Sequence, residues 1–463
     1  MTGTGLMAGF LVLMASGVPV AIAMAGASLI YVMATGNVPD FVIIHRMYGG
    51  VDSFPLLAVP FFIFAGNLMN SAGITNRIYN FALALVGWMK GGLGHVNVVG
   101  SMIFAGMSGT AIADAAGLGT IEIKAMKDHG YSTEFAVGVT AASATVGPII
   151  PPSLPFVIYG MMASVSIGQL FLAGVIPGIL MGLIMMLTVA YFAHTRNFGR
   201  DAKFSLPKIF KAGVEVLITL AFPFGIWLLA QAGISPKYAI VVAFAGLLVL
   251  DRFFKFDAVM ALLSPILLVG GMTMGIFTPT EGAVAASAWA MFLGLVWYRS
   301  LDWRMLIKIS MDTIETTAAV LFIVAAASIF GWLLTVTRVT DAVAMWVLAF
   351  TNEKWVFLLL ANALMLFVGC FLEPVAAITL LVPICQQLGI DLVHFGLIMV
   401  LNLMIGLLHP PMGTVLFVLA RVSRLSFERT TVAILPWLIP LFVTLGLVTY
   451  VPDIVLWLPR QFF

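Results

Sequence analysis

The sequence predicts an all-α polytopic membrane protein of about 12 transmembrane helices plus two re-entrant hairpins, arranged as inverted repeats. Three observations predict it. Of 463 residues, 62% are hydrophobic and only 9% charged, against about 25% charged in a soluble domain. Segments of roughly 20 apolar residues follow one another, each long enough to cross a bilayer. Finally, the polar, Gly-rich stretch Gly106–Ser153 returns in outline 259 residues later. That shift carries Asp114 onto Glu373, Thr120 onto Thr379, Gly147 onto Gly406, Pro151-Pro152 onto Pro410-Pro411 and Pro177 onto Pro436. Proline is about 5% of residues, so an arbitrary shift matches about half a proline pair; this shift matches three. Duplication in a membrane chain points to a transporter with its site at the repeat interface.

Composition also excludes. The net charge of +2 is spread over connecting loops, so no nucleic-acid partner is expected. Cys370 and Cys385 sit in apolar surroundings and read as packed thiols. Histidines are scattered, with no metal-binding pair. Met1–Phe10 has no basic start, so no signal peptide is expected before the first span.

Three segments follow: a first repeat over 1–195, a basic loop with two connecting helices over 196–257, and a second repeat over 258–463. The first repeat opens with a span at Leu6–Tyr31, bent at Gly17-Val18-Pro19. An interfacial helix at Asp40–Gly50 and a span at Leu56–Met69 come next. Ile74–Met89 either crosses or lies as a scaffold arm. The stretch 91–127 is too polar for a lipid-facing span and reads as a re-entrant hairpin. Such backbone is tolerated at membrane depth only when wrapped in protein or lining a cavity. The span over 133–163 must break at GPIIPPS, because proline lacks an amide hydrogen and restricts the residue before it. Gln169–Phe192 crosses again. The middle segment adds spans at Val214–Ala230 and Tyr238–Leu250. The second repeat reads as a span broken at Thr278–Glu281 within Leu262–Trp297, an amphipathic helix at Arg299–Ile309 and a span at Thr316–Leu334. An arm at Asp341–Phe350, a hairpin over 355–389, a broken helix over 391–420 and a last span at Thr430–Val451 complete it. Placing the N-terminus outside puts Arg196, Arg200, Lys203, Lys208, Lys211, Arg421, Arg424 and Arg429 in the cytoplasm, although Arg299, Arg304 and Lys308 fall on the other side.

The polar positions carry the chemistry. Ser108, Gly109 and Thr110 at the first hairpin tip offer hydroxyls and unpaired helix-end groups. Carbonyls and hydroxyls bind Na⁺, and amide ends attract a carboxylate. Close helix contact through small residues is the competing reading. Asp114 is an intramembrane carboxylate, functional by default, or a helix cap. Carbonyls freed at Gly147, Pro148, Pro151 and Ser153 would face that tip. In the second half, Glu373 is the counterpart of Asp114, Asn402 and Thr414 could supply oxygens, and His409 is either a donor to substrate or a satisfied core group. Thr278, Pro279, Thr280 and Glu281 read as structural: an N-cap, a proline at the first helical position and a capping box.

At these residues the chain resembles the large membrane subunit of tripartite ATP-independent periplasmic (TRAP) transporters. The motifs are GMSGTAIADAAGLGTIEIKAMKDHGY, TAASATVGPIIPPSLPFVIYG, GIFTPTEGAVAA, FLEPVAAITLLVP and GLLHPPMGTVLFV, in order over nearly the whole chain. The resemblance implies an elevator-type secondary transporter in the bacterial inner membrane that imports an organic acid with Na⁺. It implies two partners, a periplasmic substrate-binding protein and a small four-helix membrane subunit. It implies a first Na⁺ site at Ser108, Gly109, Thr110 and Asp114 with Gly147, Pro148, Pro151 and Ser153. A second falls at Gly369 and Glu373 with Asn402, Gly406, Gly413 and Thr414. Substrate candidates are Ser108, Pro152, Ser153, His409 and Pro411. Two departures stand out: Phe367-Val368-Gly369 replaces the Ser-Gly-Thr of the first tip, and His409 stands where threonine is expected before the second Pro-Pro. H⁺ coupling through Asp114 and Glu373 is the alternative within the same fold. An intramembrane enzyme using Asp114, Glu373 and His409 is the alternative from another class.

Overall fold

The computed structural model describes the chain apart from residues 1–2, 37, 40, 234, 236–237, 239–241, 248, 250–258, 274–276, 340–341, 343–344, 346–350, 352, 369–373 and 410–412. The described residues form helices and their connecting turns. Helix starts follow local chemistry: Ser132, Ser153, Ser166, Asp302, Asp391 and Ser426 each accept a backbone N–H from the first turn of the helix they begin. These side chains satisfy amides that the helix itself leaves unpaired.

The first half contains α1 (Gly3–Ala15), α2 (Val20–Thr35), α3 (Phe41–Val51), α4 (Ala58–Ser71) and α5 (Ile74–Val86). The hairpin follows as α6 (Gly92–Ser108), α7 (Ala111–Ala116) and α8 (Leu118–Asp128). The broken span is α9 (Thr133–Ala144) and α10 (Leu154–Met162), and α11 (Ile167–Thr195) ends the half. After α12 (Leu206–Gln231), the second half runs α13 (Val259–Thr273), α14 (Pro279–Phe292), α15 (Trp303–Val336), α16 (Lys354–Val368), α17 (Pro374–Gln387), α18 (Leu392–Gly406), α19 (Thr414–Ser423) and α20 (Phe427–Tyr450).

Two expectations are corrected. The first span is not one bent helix. Gly17 takes φ +84° and Pro19 precedes α2, so α1 and α2 are separate helices that pack on each other. Proline cannot donate the amide that would continue the helix. Conversely, the amphipathic segment at Arg299–Ile309 and the span at Thr316–Leu334 merge into the single 34-residue α15. The intervening Ser310–Glu315 contains no glycine or proline to stop it. The arm expected at Asp341–Phe350 lies mostly outside the described residues, as does much of the span expected at Tyr238–Leu250.

Contacts between elements are reciprocal under the same shift of 259 residues. Helix α4 packs on α14, and α15 packs on α2. Helix α20 lies against α9, and α11 against α18. The first hairpin, through α7, meets α19, while the second, through α17, meets α10. Each hairpin therefore leans on the far half of the other repeat's broken helix. Six stretches among the described residues are long and apolar enough to span a bilayer: Phe54–Ser71, Ile167–Thr195, Leu206–Ile226, Pro279–Trp297, Trp303–Val336 and Phe427–Tyr450. The shorter apolar helices include α6, α18 and α19, which belong to the hairpin and breaks.

Glycines set the closest approaches. A Cβ on Gly138 of α9 would lie 2.5 Å from the Ala433 carbonyl oxygen and 2.5 Å from the Trp437 indole of α20. Gly138→Ala should therefore separate the two helices. Overfilling a tight core typically costs about 1–3 kcal/mol, measurable as a lower unfolding temperature in detergent. An unchanged midpoint would mean that this contact relaxes freely.

Candidate functional site

The first hairpin tip and the helix break meet through backbone. Gly109 caps α6 in the left-handed conformation, φ +62°, and its carbonyl accepts the Leu154 N–H at 3.4 Å. A Cβ on Gly109 would sit 2.7 Å from the Pro152 carbonyl oxygen. Across the break, a Cβ on Gly147 would sit 3.3 Å from the Thr110 carbonyl oxygen. Glycine serves at both positions because the two backbones approach too closely for a side chain. The Pro151–Pro152 peptide is cis. Ser153 is fully buried; its hydroxyl donates to the Pro148 carbonyl at 2.5 Å and accepts the Phe156 N–H. Thr110 uses its hydroxyl to cap α7, accepting the Ala113 N–H at 3.3 Å. The structure thus brings Gly109, Thr110, Gly147, Pro148, Pro152 and Ser153 to one junction of carbonyls and hydroxyls. The Ser108 side chain lies outside the described residues.

Asp114 sits in the first turn of α7 and is 1% exposed. Neither carboxylate oxygen has a hydrogen-bond partner among the described residues. It does not cap a helix; Thr110 has that role. Behind it lies a buried polar network to which the sequence reading assigned no role. The Asn97 amide donates to Glu122 at 2.6 Å and to Thr140 at 2.8 Å, and its carbonyl oxygen accepts from Ser143 at 2.7 Å. Ser101 donates to Ser143 at 3.1 Å. One Glu122 oxygen remains without a partner, as do both ring nitrogens of buried His95. The signal was present as helical spacing. Asn97 and Ser101 lie four apart on α6, Thr140 and Ser143 three apart on α9, and each pair therefore shares a face. Nothing in the linear sequence says that those two faces meet each other and Glu122 of α8.

The second half is related but different. Asn402 is fully buried on α18 and donates to the Asn362 side-chain oxygen at 2.8 Å, while Asn362 donates to Thr449 at 3.0 Å. The Asn402 oxygen itself has no partner among the described residues. Gly406 closes α18, and Gly413 packs with its Cα against the Leu407 and His409 carbonyls. Thr414 is exposed at the start of α19, so it does not join buried Asn402 in a shared cluster. His409 is half-buried within the break. Gly369, Glu373 and Pro411 lie outside the described residues, as does Cys370; Cys385 is a buried free thiol. Thr278 and Glu281 form the expected reciprocal capping box, with Pro279 at the first position and Thr280 donating to the Phe54 carbonyl. Among the described residues, no group of three or more His, Cys, Asp or Glu side chains is placed to hold a metal ion. The junction offers instead the carbonyl and hydroxyl oxygens that suit an alkali cation.

Helices interrupted at matching places, with backbone of the first hairpin tip meeting backbone of the first break and a buried carboxylate on the adjoining short helix, are the architecture of a membrane transporter. The chain belongs to the family described as the DctM component of the tripartite ATP-independent periplasmic transporter, whose model matches residues 7–257 and 252–454. It is thus a multi-pass inner-membrane permease subunit and not an enzyme. It is 40% identical to the sialic acid TRAP transporter large permease protein SiaM of Vibrio cholerae, over 98% of this chain and 97% of that one. It is 31% identical to the C4-dicarboxylate TRAP transporter large permease protein DctM of Rhodobacter capsulatus, over 97% and 96%. In fold it is similar to the Alcanivorax borkumensis YdaH transporter, with a TM-score of 0.55 and 16% identity over 88% of this chain and 86% of that one.

The network makes a graded prediction. Glu122→Ala leaves the Asn97 amide unsatisfied and should cost about 1–3 kcal/mol. Glu122→Gln keeps an acceptor and should cost clearly less. Equal losses in thermal unfolding would show that the hydrogen bond is not what Glu122 supplies to stability.

Proposed function

We propose that this chain is the permease of a Na⁺-coupled importer of an organic acid, delivered by a periplasmic binding protein and completed by a small four-helix membrane subunit. The substrate class follows the relatives, which are named for sialic acid and C4-dicarboxylates. In this reading, residues 1–195 and 258–463 are the two inverted repeats, joined by 196–257. The hairpins and broken helices, α6–α10 and α16–α19, carry the site past a scaffold formed by the remaining long helices, as an elevator.

One observation supports the coupling most strongly: Asp114, in the first turn of the helix that the tip residue Thr110 caps, is fully buried and its carboxylate has no hydrogen-bond partner among the described residues. An ionised carboxylate in such a place is costly unless a cation neutralises it. Na⁺ held by the carbonyls of Gly109, Thr110 and Pro152 would do so without any lysine or arginine at the junction. Helix-end amides would then meet the substrate's carboxylate. Asn402, together with Gly369, Glu373, Gly406 and Gly413, is the proposed second ion site; exposed Thr414 lies apart from buried Asn402 and is left out of it. Ser108, Ser153, Pro152, His409 and Pro411 are proposed to face the substrate. Proton coupling is the second reading, favoured by the same Asp114 carboxylate, which has no hydrogen-bond partner among the described residues.

Thermal unfolding separates the two. With K⁺ replaced by Na⁺ at constant ionic strength, the permease should gain about 1.4 kcal/mol at ten times the dissociation constant. Asp114→Asn should abolish most of that gain while leaving stability in K⁺ near wild type. A response that follows pH and ignores Na⁺ would overturn the Na⁺ reading in favour of protons.

A further inference from the structure

A polar cavity opens where α5 meets the start of α12. Its volume is about 960 Å³. Arg77, Lys203, Lys208 and Lys211 line it together with Trp88, and Glu215 is the one acidic side chain at its wall. Lys203 and Lys208 are exposed. Arg77 is held in place by the Gly73 carbonyl and by the Tyr298 ring, 3.7 Å from its guanidinium carbon. Lys211 lies 3.9 Å from Glu215. Four cations against one carboxylate leave the cavity strongly positive. Ser205 and Lys208 also bring the N-terminus of the 26-residue α12 to it, whose unpaired amides favour an anion.

The surroundings are those of a membrane interface. Trp88 stacks edge-on with Phe204, ring centroids 5.2 Å apart, as aromatic residues do at headgroup level. Leu206, Phe210 and Leu217 are exposed apolar residues on the same helix. Glu215, Thr219, Phe222 and Ile226 fall at helical spacing on one face of α12. Phe222 and Ile226, about 10 and 16 Å beyond Glu215 at 1.5 Å per residue, line an apolar cleft of about 470 Å³ with Trp289 and Phe292. A cationic cavity roomy enough for a headgroup and an apolar cleft thus lie in line along one helix.

We propose that this cavity binds the phosphodiester headgroup of an anionic phospholipid, with an acyl chain running along α12 toward the apolar cleft. Lys and Arg placement puts this end of α12 at the cytoplasmic leaflet, where anionic lipids reside. Basic pockets between transmembrane helices are suited to such headgroups, each Lys or Arg contributing about 1 kcal/mol, or fivefold in affinity. The proposal does not depend on which cation drives transport.

Native mass spectrometry of the purified full chain with phosphatidylglycerol, phosphatidylcholine and glycerol 3-phosphate tests it. The expected result is retained phosphatidylglycerol, at least tenfold preferred over phosphatidylcholine and over glycerol 3-phosphate. Lys203→Gln with Lys208→Gln should weaken retention roughly 25-fold. Both lysines are exposed, and an unchanged unfolding temperature in phosphatidylcholine confirms that the variant folds. Equal retention of the two lipids, tight glycerol 3-phosphate binding, or a double variant that holds phosphatidylglycerol as well as wild type would overturn the proposal. So would release of the lipid on adding the small membrane subunit, which would make the cavity a subunit interface.

Discussion

Backbone satisfaction at the helix break is the constraint on which the rest depends. A span interrupted by Gly147–Ser153 exposes amides and carbonyls where no bulk water reaches. The structure meets that demand with the other half-length elements. The Gly109 carbonyl takes the Leu154 amide, Ser153 takes the Phe156 amide and returns its own proton to Pro148. The hairpin and the break are therefore parts of one unit, and neither could be stable at membrane depth without the other. Prolines 148, 151, 152 and 155 supply no amide hydrogens there, so the break concentrates main-chain oxygens relative to donors.

The buried carboxylates obey the same logic with a different outcome. Glu122 is tied to Asn97, which in turn bonds Thr140 and Ser143, so the network crosses three helices. That arrangement locks α6, α8 and α9 into one block, as a satisfied buried network does. Asp114, one turn of chain from the tip, is left without such partners. Two acids eight residues apart thus differ in setting: Glu122 is hydrogen-bonded into the hairpin, whereas the Asp114 carboxylate has no hydrogen-bond partner among the described residues. The second half has a different buried network of neutral groups, Asn402 on Asn362 and Asn362 on Thr449, which ties α16, α18 and α20. The two halves match in fold while their interior polar chemistry has diverged.

The basic cavity at the start of α12 stands apart from this unit. It lies on the segment that has no counterpart in the duplication and packs against α5. A lipid bound there would anchor the connecting segment and α5 to one leaflet.

Much of the architecture was legible in the linear sequence because glycine and proline act locally. Gly109, the prolines of the break and the Thr278–Glu281 box announce their conformations with no knowledge of neighbours, and the shift of 259 residues exposes the duplication. The same local logic was incomplete at Gly17-Val18-Pro19, where a bend proved to be a turn between two helices, and at Arg299–Leu334, where amphipathic character concealed one long helix. Partnership could not be read. Asn97, Ser101, Thr140 and Ser143 look like ordinary small polar residues until α6 and α9 are brought face to face around Glu122. Which carboxylate is tied and which is left without a partner is equally a matter of three-dimensional approach. By itself the sequence determined where the backbone breaks, since steric and hydrogen-bonding limits act within a few residues. Only the tertiary structure decided which polar groups meet at those breaks, because their contacts join residues tens to hundreds of positions apart.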